Sequence, residues 1–354
     1  MKKKGNKVRV GISIGDPNGI GMEIILKTLE DQRICELCTP IVYSPKNIID
    51  FNAKSLGLNN LSLNYFSSID ELKGNKANCI DLGKSEFKIR FGEESAQSGK
   101  IALLSLDTAM TDLKAQKIDC LVTAPIHKKA MQLGGFKYPG HTEYLQHADQ
   151  AGDSLMLMIS REAKIGVVTS HIPLKDVAST ITSDLILKKI SLLNQSLKTD
   201  FGIQKPKIAV LGLNPHAGED GVIGKEESEI IVPAIKQAKS IEILAFGPYP
   251  ADGFFASSKH REVDGVLAMY HDQGLIPSKL FAASEGVNFT SGLSFVRTSP
   301  DHGTAFEIAG KGIANESAFR SALYQAIDIA KQRALKEELE ENVLPINKTR
   351  NKSA

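Results

Sequence analysis

Residues 8–21 read VRVGISIGDPNGIG, in which a short apolar run passes through a glycine-rich loop into the helical pattern of residues 21–31. This order of strand, loop and helix is the first half of a βαβ unit. The loop matches neither the dinucleotide motif G-x-G-x-x-G nor the phosphate motif G-x-x-x-x-G-K-[ST], so it indicates no nucleotide site of either usual kind. It indicates instead the opening strand and helix of an α/β fold.

The same alternation continues along the chain, where runs rich in Val and Ile alternate with stretches of helical periodicity. This pattern predicts an α/β fold with a mainly parallel sheet. The predicted strands are Val8–Ile14, Cys120–Val122, Ile165–Thr169, Ile208–Leu213, Ile241–Phe246 and Gly265–Tyr270. The predicted helices are Gly21–Asp31, Gly99–Gln116, Ser183–Lys198, Glu226–Lys239 and Asn315–Glu340. Residues 52–91 are the least regular stretch and could hold insertions or an edge hairpin.

The composition is that of an ordinary globular protein. With 42% hydrophobic and 24% charged residues, it argues against a disordered chain, a collagen, a disulfide scaffold or a coiled coil. The length of 354 residues favours two lobes. A net charge of +2 is too small to attract nucleic acid or anionic lipid to the protein as a whole, so neither is expected as a partner. We see neither a signal peptide nor a membrane span, and therefore expect a cytoplasmic protein.

The four cysteines give only a weak signal. Cys35 and Cys38 form a lone C-x-x-C, and the other two are Cys79 and Cys120. With no second pair and no adjacent histidine, zinc or redox chemistry is less favoured than reduced thiols packed in the interior.

Three histidines stand just past the ends of predicted strands. They are His171 in KIGVVTSHIP, His216 in KIAVLGLNPHAG and His271 in GVLAMYHDQG. Ligands gather at the carboxyl ends of strands in open parallel sheets. Three neutral imidazoles at that edge could converge on one divalent metal and leave positions open for substrate. Each histidine could instead only cap a loop, but their shared placement favours a site for zinc or, alternatively, cobalt or magnesium.

Two aspartates stand near these loops. Asp272 adjoins His271 and could orient the imidazole or act as a general base, although a solvated loop aspartate is an equal alternative. Asp252 in GPYPADGFF lies in a similar loop, with a plain turn residue ahead of Gly253 as the alternative.

A second group of residues has the chemistry of an anion site. Lys279, Asn288 and Arg297 follow one another at nine-residue intervals and offer two cations and an amide. His141 and Thr142 precede a predicted helix, Glu143–Ala151, whose N-terminus could bind an anion. Individually, the first three could be surface residues and Thr142 an N-cap.

Eight segments together resemble the motifs of one enzyme family. In chain order they are GDPNGIG (15–21), TAPIHK (123–128), GHTEYL (140–145), TSHIPL (169–174), GLNPHAGEDG (212–221), GPYPAD (247–252), MYHDQGL (269–275) and FVRTSPDHGTAFEIAGKG (295–312). They closely resemble the motifs of the 4-hydroxythreonine-4-phosphate dehydrogenase family, which acts in pyridoxal phosphate biosynthesis. The resemblance runs from Val10 to about Ala330.

This resemblance implies a fold similar to that of isocitrate and isopropylmalate dehydrogenases. The expected architecture is a two-lobed α/β/α protein with its active site in the interlobe cleft at a homodimer interface. We place the first lobe at residues 1–130 with 290–340 and the second at 131–289, ahead of a polar tail at 341–354. Residues 347–354 have nothing to bury, and we expect them to be disordered.

The resemblance also implies roles for individual residues. Metal ligands fall on His171, His216 and His271, drawn from both subunits of the dimer. Substrate contacts fall on His141, Thr142, Lys279, Asn288 and Arg297. NAD or NADP would be held without a G-x-G-x-x-G motif, by a segment that contains Asp301, His302, Gly303 and Thr304.

The implied reaction is a metal-dependent, NAD(P)-linked oxidation of 4-phosphooxy-L-threonine. Its product, 2-amino-3-oxo-4-phosphooxybutanoate, decarboxylates to 3-amino-2-oxopropyl phosphate. Related branches oxidise threonate or erythronate 4-phosphate, and these substrates stay open as alternatives. A phosphate acyltransferase or a non-catalytic metal- or phosphate-binding protein is a weaker alternative, because neither accounts for the DHGTAFEIAG segment.

Overall fold

The computed structural model describes residues 7–72, 76–150 and 152–342, whose strands form one twelve-stranded sheet. The strands are β1 Val8–Ser13, β2 Cys38–Ser44, β3 Leu63–Phe66, β4 Ala77–Asp81, β5 Cys120–Thr123, β6 Leu155–Ile159, β7 Lys164–Val167, β8 Lys207–Leu211, β9 Leu244–Tyr249, β10 Gly265–Ala268, β11 Val287–Ser291 and β12 Val296–Pro300. The α-helices are α1 Gly21–Glu30, α2 Ile34–Leu37, α3 Lys46–Leu56, α4 Ala96–Lys114, α5 Lys128–Leu133, α6 His141–Asp149, α7 Val177–Thr180, α8 Ser183–Thr199, α9 Val232–Ser240, α10 Ala251–Ala256, α11 His271–Ala282 and α12 Ser317–Glu341.

The sheet consists of two parallel blocks of opposite direction. Its order is β3-β4-β2-β1-β5-β12-β11-β6-β7-β10-β8-β9. The strands from β3 to β12 in this order form the first block, and β7, β10, β8 and β9 form the second. Three antiparallel pairings, of β11 with β12, β6 with β11 and β7 with β6, lie between the blocks. Three reversals leave the second block antiparallel to the first.

Apolar clusters cover both faces of the sheet. Since side chains alternate along a strand, Val42 of β2 and Val210 of β8 enter one cluster that follows a single face of the whole sheet. On the other face, Tyr43 packs with α4 in a second cluster and Leu211 packs in a third. Helices therefore sandwich the sheet, and the predicted α/β/α class is confirmed. The lobe boundaries at 130/131 and 289/290 stay a prediction.

The predicted strands and helices are present with shifted ends. The largest shift is that of the strand predicted at Ile241–Phe246, which is observed as β9. The helix predicted at Glu226–Lys239 opens with a π-helical turn, Glu227–Ile231, before it becomes α9. The polar tail predicted at 341–354 lies outside the described residues apart from its first two positions.

The edge hairpin considered for residues 52–91 is wrong. This stretch contributes β3 and β4, which pair in parallel with Leu63 opposite Ala77. A two-strand hairpin requires antiparallel neighbours, whereas parallel strands need a connection that returns the chain to the starting edge. The short 3₁₀ turn Ile69–Glu71 lies in that connection.

The cysteines agree with the expectation of packed thiols. All four are described and buried, and none is in a disulfide. Burial raises the pKa of Cys38 to about 12, so its thiol stays protonated at neutral pH. Among the described residues, no helix has both the length and the hydropathy needed to cross a membrane.

Candidate active site

A cleft of about 350 Å³ lies where the segments after β5, β7, β10 and β12 meet. Most of the predicted site residues line it, namely His141, Thr142, His171, His271, Lys279, Asn288, Arg297, Asp301, His302 and Gly303. The other predicted residues, His216, Asp252, Asp272 and Thr304, lie outside its lining. Asp252 is an exposed residue in the first turn of α10.

Arg297 is a buried cation at the base of this cleft. The residue is 3% exposed, and its guanidinium donates to Thr123 Oγ1 from Nη2 over 2.6 Å and from Nε over 3.1 Å. Nη1 donates to Thr290 Oγ1 over 3.3 Å. No carboxylate among the described residues forms an ion pair with it, and burial lowers the pKa of Arg297 to about 10. A buried charge without a counter-ion is costly, which favours an anionic ligand beside it.

His141 lines the same cleft with a neutral ring. Burial lowers its pKa well below 6.5, and the neighbouring charges of Arg297 and Lys128 add to the effect. In the resulting neutral ring, Nδ1 lies 3.2 Å from Arg297 Nη2 and accepts from it, so the proton is on Nε2. Nε2 is buried without a partner among the described residues, as are Asn288 Oδ1 and His302 Nε2. Buried polar atoms are normally hydrogen-bonded, so these three indicate ligand contacts.

The helix that carries His141 begins at the cleft. The predicted N-cap at Thr142 is wrong, because α6 starts at His141 and Gly140 occupies the N-cap position without a side-chain cap. Gly140, His141 and Thr142 all line the cleft. The positive end of the helix dipole and its unpaired N–H groups therefore add to the attraction for an anion.

Two of the three predicted metal ligands meet at the rim. The His171 and His271 rings have centroids 5.9 Å apart, because they follow the adjacent strands β7 and β10. Burial lowers the pKa of His171, which keeps a lone pair available. Nδ1 of His271 lies 2.7 Å from Asp272 Oδ1. Since a carboxylate only accepts, Nδ1 of His271 is the donor in this contact.

The third predicted ligand is not with them. His216 follows β8, the other neighbour of β10, but it is exposed in the turn Pro215–Gly221. No three His, Cys, Asp or Glu side chains within the described ranges are grouped as a metal site. A single chain thus brings two imidazoles together and presents the third elsewhere on its surface.

The segment predicted to hold the nicotinamide borders the opposite wall. Asp301, His302 and Gly303 line the cleft, and burial raises the pKa of Asp301. The loop after β1 holds Thr304, the next residue of this segment, because Ile20 N–H donates to Thr304 O over 3.0 Å. That loop is tightly placed: Gly15 has φ +65°, and a Cβ there would lie 2.1 Å from Pro125 O.

Most of the chain matches a known protein family. Residues 36–326 match the family described as pyridoxal phosphate biosynthetic protein PdxA. The chain belongs to this family. A 4-hydroxythreonine-4-phosphate dehydrogenase of Bacteroides thetaiotaomicron is 45% identical over 329 residues, 93% of this chain and 90% of that protein.

Two further relatives bear on substrate and fold. A D-threonate 4-phosphate dehydrogenase of Cupriavidus necator is 38% identical, with 92% of this chain and 98% of that protein covered. The crystal structure of 4-hydroxythreonine-4-phosphate dehydrogenase from Klebsiella pneumoniae superposes with a TM-score of 0.80 at 35% identity, covering 93% of this chain and 99% of that one. The predicted family and its fold are both confirmed.

Sequence reasoning missed several residues of this PdxA-family site. Lys128, Glu143 and Met156 line the cleft, and Thr123 and Thr290 accept from Arg297. The sequence does contain a signal for Lys128. It ends the segment TAPIHK at the carboxyl end of β5, just as His171 and His271 follow the ends of their strands. No comparable signal exists for Met156 or Thr290, which lie within strands of the sheet.

The suppressed ionisation of His141 predicts a pH-dependent stability. Below pH 6.5 the unfolded chain binds a proton at this position and the folded protein does not, so the free energy of unfolding falls as pH falls through 6.5. His141→Gln removes this contribution. Between pH 6.5 and 5, its free energy of unfolding should therefore depend less steeply on pH, by up to about 1.4 kcal/mol per pH unit.

Urea unfolding at several pH values measures this slope. His147→Gln is the matched control, because His147 is exposed on the same helix and should keep the wild-type slope. Equal slopes for wild type and His141→Gln would show that His141 is protonated in the folded protein.

Proposed function

We propose that this PdxA-family chain oxidises 4-phosphooxy-L-threonine with NAD or NADP in pyridoxal 5′-phosphate biosynthesis. The product would be 2-amino-3-oxo-4-phosphooxybutanoate, which decarboxylates to 3-amino-2-oxopropyl phosphate. The name of the Bacteroides relative supports this choice. The observation that carries it is the buried, unpaired guanidinium of Arg297 beside the orphaned donor of His141, because a phosphorylated amino acid brings two anionic groups to such a cleft.

The residues around Arg297 would hold those anions. The guanidinium and the N-terminus of α6 face one region of the cleft, and Nε2–H of His141 completes the donors there. Lys279 and Lys128 bring further positive charge to the lining. Anchoring both ends of a small substrate fixes its central carbons, which is the main contribution that binding residues make to such a reaction.

The imidazoles of His171 and His271 suit a divalent metal. Both rings present a lone pair to the same rim, and the carboxylate of Asp272 orients one of them. We propose zinc, with cobalt or magnesium as alternatives. A metal held there supplies Lewis acidity that lowers the pKa of the substrate hydroxyl.

The segment Asp301–Thr304 suits the nicotinamide cofactor. Within the described part of the chain, His302 Nε2 is a buried atom without a partner, and no atom lies within 4 Å of the place where a Gly303 Cβ would stand. Such a segment can accept a flat ring and an amide. The bound nicotinamide supplies the hydride acceptor.

We further propose a homodimer whose active sites are shared. His216 would complete the metal site of the partner subunit, since this chain presents it away from His171 and His271. Val222 is 80% exposed and Ile223 39% exposed six and seven residues farther on, and Leu174 near His171 is 70% exposed. Apolar side chains exposed beside an incomplete site are typical of a surface covered by a second subunit.

A second substrate has specific support. The Cupriavidus relative is named for D-threonate 4-phosphate, which differs from 4-phosphooxy-L-threonine by a hydroxyl in place of the amino group at C2. Both molecules carry the phosphate and carboxylate that the cleft would bind. The threonate phosphate is therefore the alternative to test beside the first substrate.

Nicotinamide reduction by the purified protein tests the function. We expect reduction with 4-phosphooxy-L-threonine that stops on chelation and returns with added zinc, cobalt or magnesium. Turnover of D-threonate 4-phosphate alone would move the chain to the alternative. Activity that resists chelation would exclude a metal from the mechanism. If no phosphorylated hydroxy acid supports reduction of the nicotinamide, the proposed dehydrogenase activity is wrong.

A further inference from the structure

The turn that carries His216 has an unusual backbone. His216, Ala217, Gly218, Glu219 and Asp220 have φ of 53°, 52°, 81°, 43° and 53°. Four of these five residues have a Cβ, which the left-handed conformation brings too close to a carbonyl oxygen. A run of this kind persists only where its surroundings determine it.

A buried carboxylate holds the entrance to this turn. Glu227 is 5% exposed, and its Oε1 accepts from the backbone N–H groups of Leu213 and Asn214, each over 2.7 Å. Its Oε2 accepts from Asn214 Nδ2 over 3.0 Å. The carboxylate therefore fixes the two residues that precede Pro215 and sets the direction in which the chain enters the turn.

The middle of the turn packs on the same carboxylate. A Cβ on Gly218 would lie 2.6 Å from Glu227 Oε2, and one on Gly212 would lie 3.2 Å from Oε1. Gly218, with φ +81°, thus lets the backbone approach the carboxylate as no other residue would. Glu227 contacts the turn from both sides of His216.

Glu227 is itself well anchored. It opens the π-helical turn Glu227–Ile231, and π-turns often occur at functional sites. Ser183 Oγ donates to Ile230 O over 2.8 Å and holds this turn against the start of α8. Gln273 holds the backbone that enters the His216 turn from β8. Its side-chain amide accepts from Met269 N–H and donates to Gly212 O, each over 2.7 Å.

We propose that Glu227 is a positioning residue that holds His216 in the geometry needed for metal binding. The proposal rests on the proposed function, in which His216 is a metal ligand. Glu227 lies outside the cleft lining and acts through the backbone of residues 212–218 and the side chain of Asn214. Its negative charge is suited to this task, because a carboxylate accepts several N–H bonds at once.

The test measures metal affinity and backbone protection in the full-length protein. Cobalt(II) titration gives Kd for wild type, Glu227→Ala, Glu227→Gln and His216→Ala, and hydrogen exchange follows the amides of Leu213 and Asn214. Glu229→Gln is the matched control, because Glu229 is an exposed acid in the same π-turn.

We expect Glu227→Ala to weaken cobalt binding by about 10- to 100-fold, as loss of residues that orient a ligand does. The two amides should exchange faster. Glu227→Gln keeps an acceptor for both backbone groups but turns an NH₂ toward Asn214 Nδ2, so a smaller loss is expected. Glu229→Gln should match wild type, and KM for the nicotinamide should stay constant in the Glu227 and Glu229 variants.

The outcomes separate this inference from the function on which it rests. If His216→Ala weakens cobalt binding while both Glu227 variants bind cobalt and protect the two amides as wild type does, the positioning role is overturned. If His216→Ala itself binds cobalt as wild type does, the metal role of His216 fails. If Glu227→Ala does not fold, the affinity and exchange of Glu227→Gln decide the question.

Discussion

Arg297→Met should lower kcat/KM for the phosphorylated substrate by about a hundred- to a thousandfold, since removing one partner of a buried charged contact costs about 2–5 kcal/mol. The guanidinium has no carboxylate partner among the described residues, so its charge is available for a ligand. KM for the nicotinamide should change little, because the contact that is lost is one with the anionic group of the substrate. Steady-state kinetics with each substrate varied in turn measures both effects.

The same substitution should leave stability nearly unchanged. Arg297 is buried without a counter-ion, and burial already lowers its pKa, so the folded protein without ligand gains little from the charge. Methionine has a similar volume, and the removal of a buried charge offsets the loss of the hydrogen bonds that Arg297 donates to Thr123, Thr290 and His141. We expect the free energy of unfolding to stay within about 1 kcal/mol of wild type.

Arg333→Met is the matched control with the opposite pattern. Arg333 Nε lies 2.7 Å from Oδ1 of the buried Asp200, outside the cleft lining. Its loss leaves an uncompensated buried carboxylate and should destabilise the protein by about 3–5 kcal/mol, while the folded fraction keeps its kcat/KM. If Arg297→Met instead loses stability as Arg333→Met does, Arg297 is a structural residue and not an anion anchor.

Part of the candidate site could be predicted from the sequence, because its residues follow or lie on neighbouring strands. The strand-end rule selected His171 and His271, which meet because β7 and β10 are neighbours. Asn288 and Arg297 were selected by chemistry and spacing alone. They share a site because β11 and β12 are an antiparallel pair, with Asn288 opposite Ser299.

The reversal of the sheet could not be predicted from the same patterns. Strands buried on both faces, such as β6 (LMLMI), are continuously apolar and carry no period that reveals pairing direction. β6 and β11, the two strands at which the direction reverses, were absent from the predicted set. The position of His216 depends on the left-handed turn after β8, and the sequence gives no sign of the buried carboxylate of Glu227 that holds its entrance.

Two inactive variants should restore activity when they share a dimer. In the proposed homodimer, His171→Ala and His216→Ala should each abolish turnover, because each removes a proposed metal ligand from every site. In a mixed dimer one site receives both lesions, while the other receives His171 from one subunit and His216 from its partner. Random association of equal amounts makes half of the dimers mixed, so activity should return to about one quarter of wild type.

The control follows from the contact between His171 and His271. These rings lie 5.9 Å apart within one chain, so a His171→Ala and His271→Ala mixture leaves each site with one lesion and should stay inactive. Purification through two affinity tags after co-expression isolates the mixed dimers, which should show about half of wild-type turnover because one of their two sites is complete, and cobalt bound per dimer should follow the same ratio. Restoration in both mixtures, or in neither, would contradict a site completed by the partner's histidine. The first mixture alone can restore activity only if His216 crosses the interface, because within one chain it is presented away from the cleft that holds the other two.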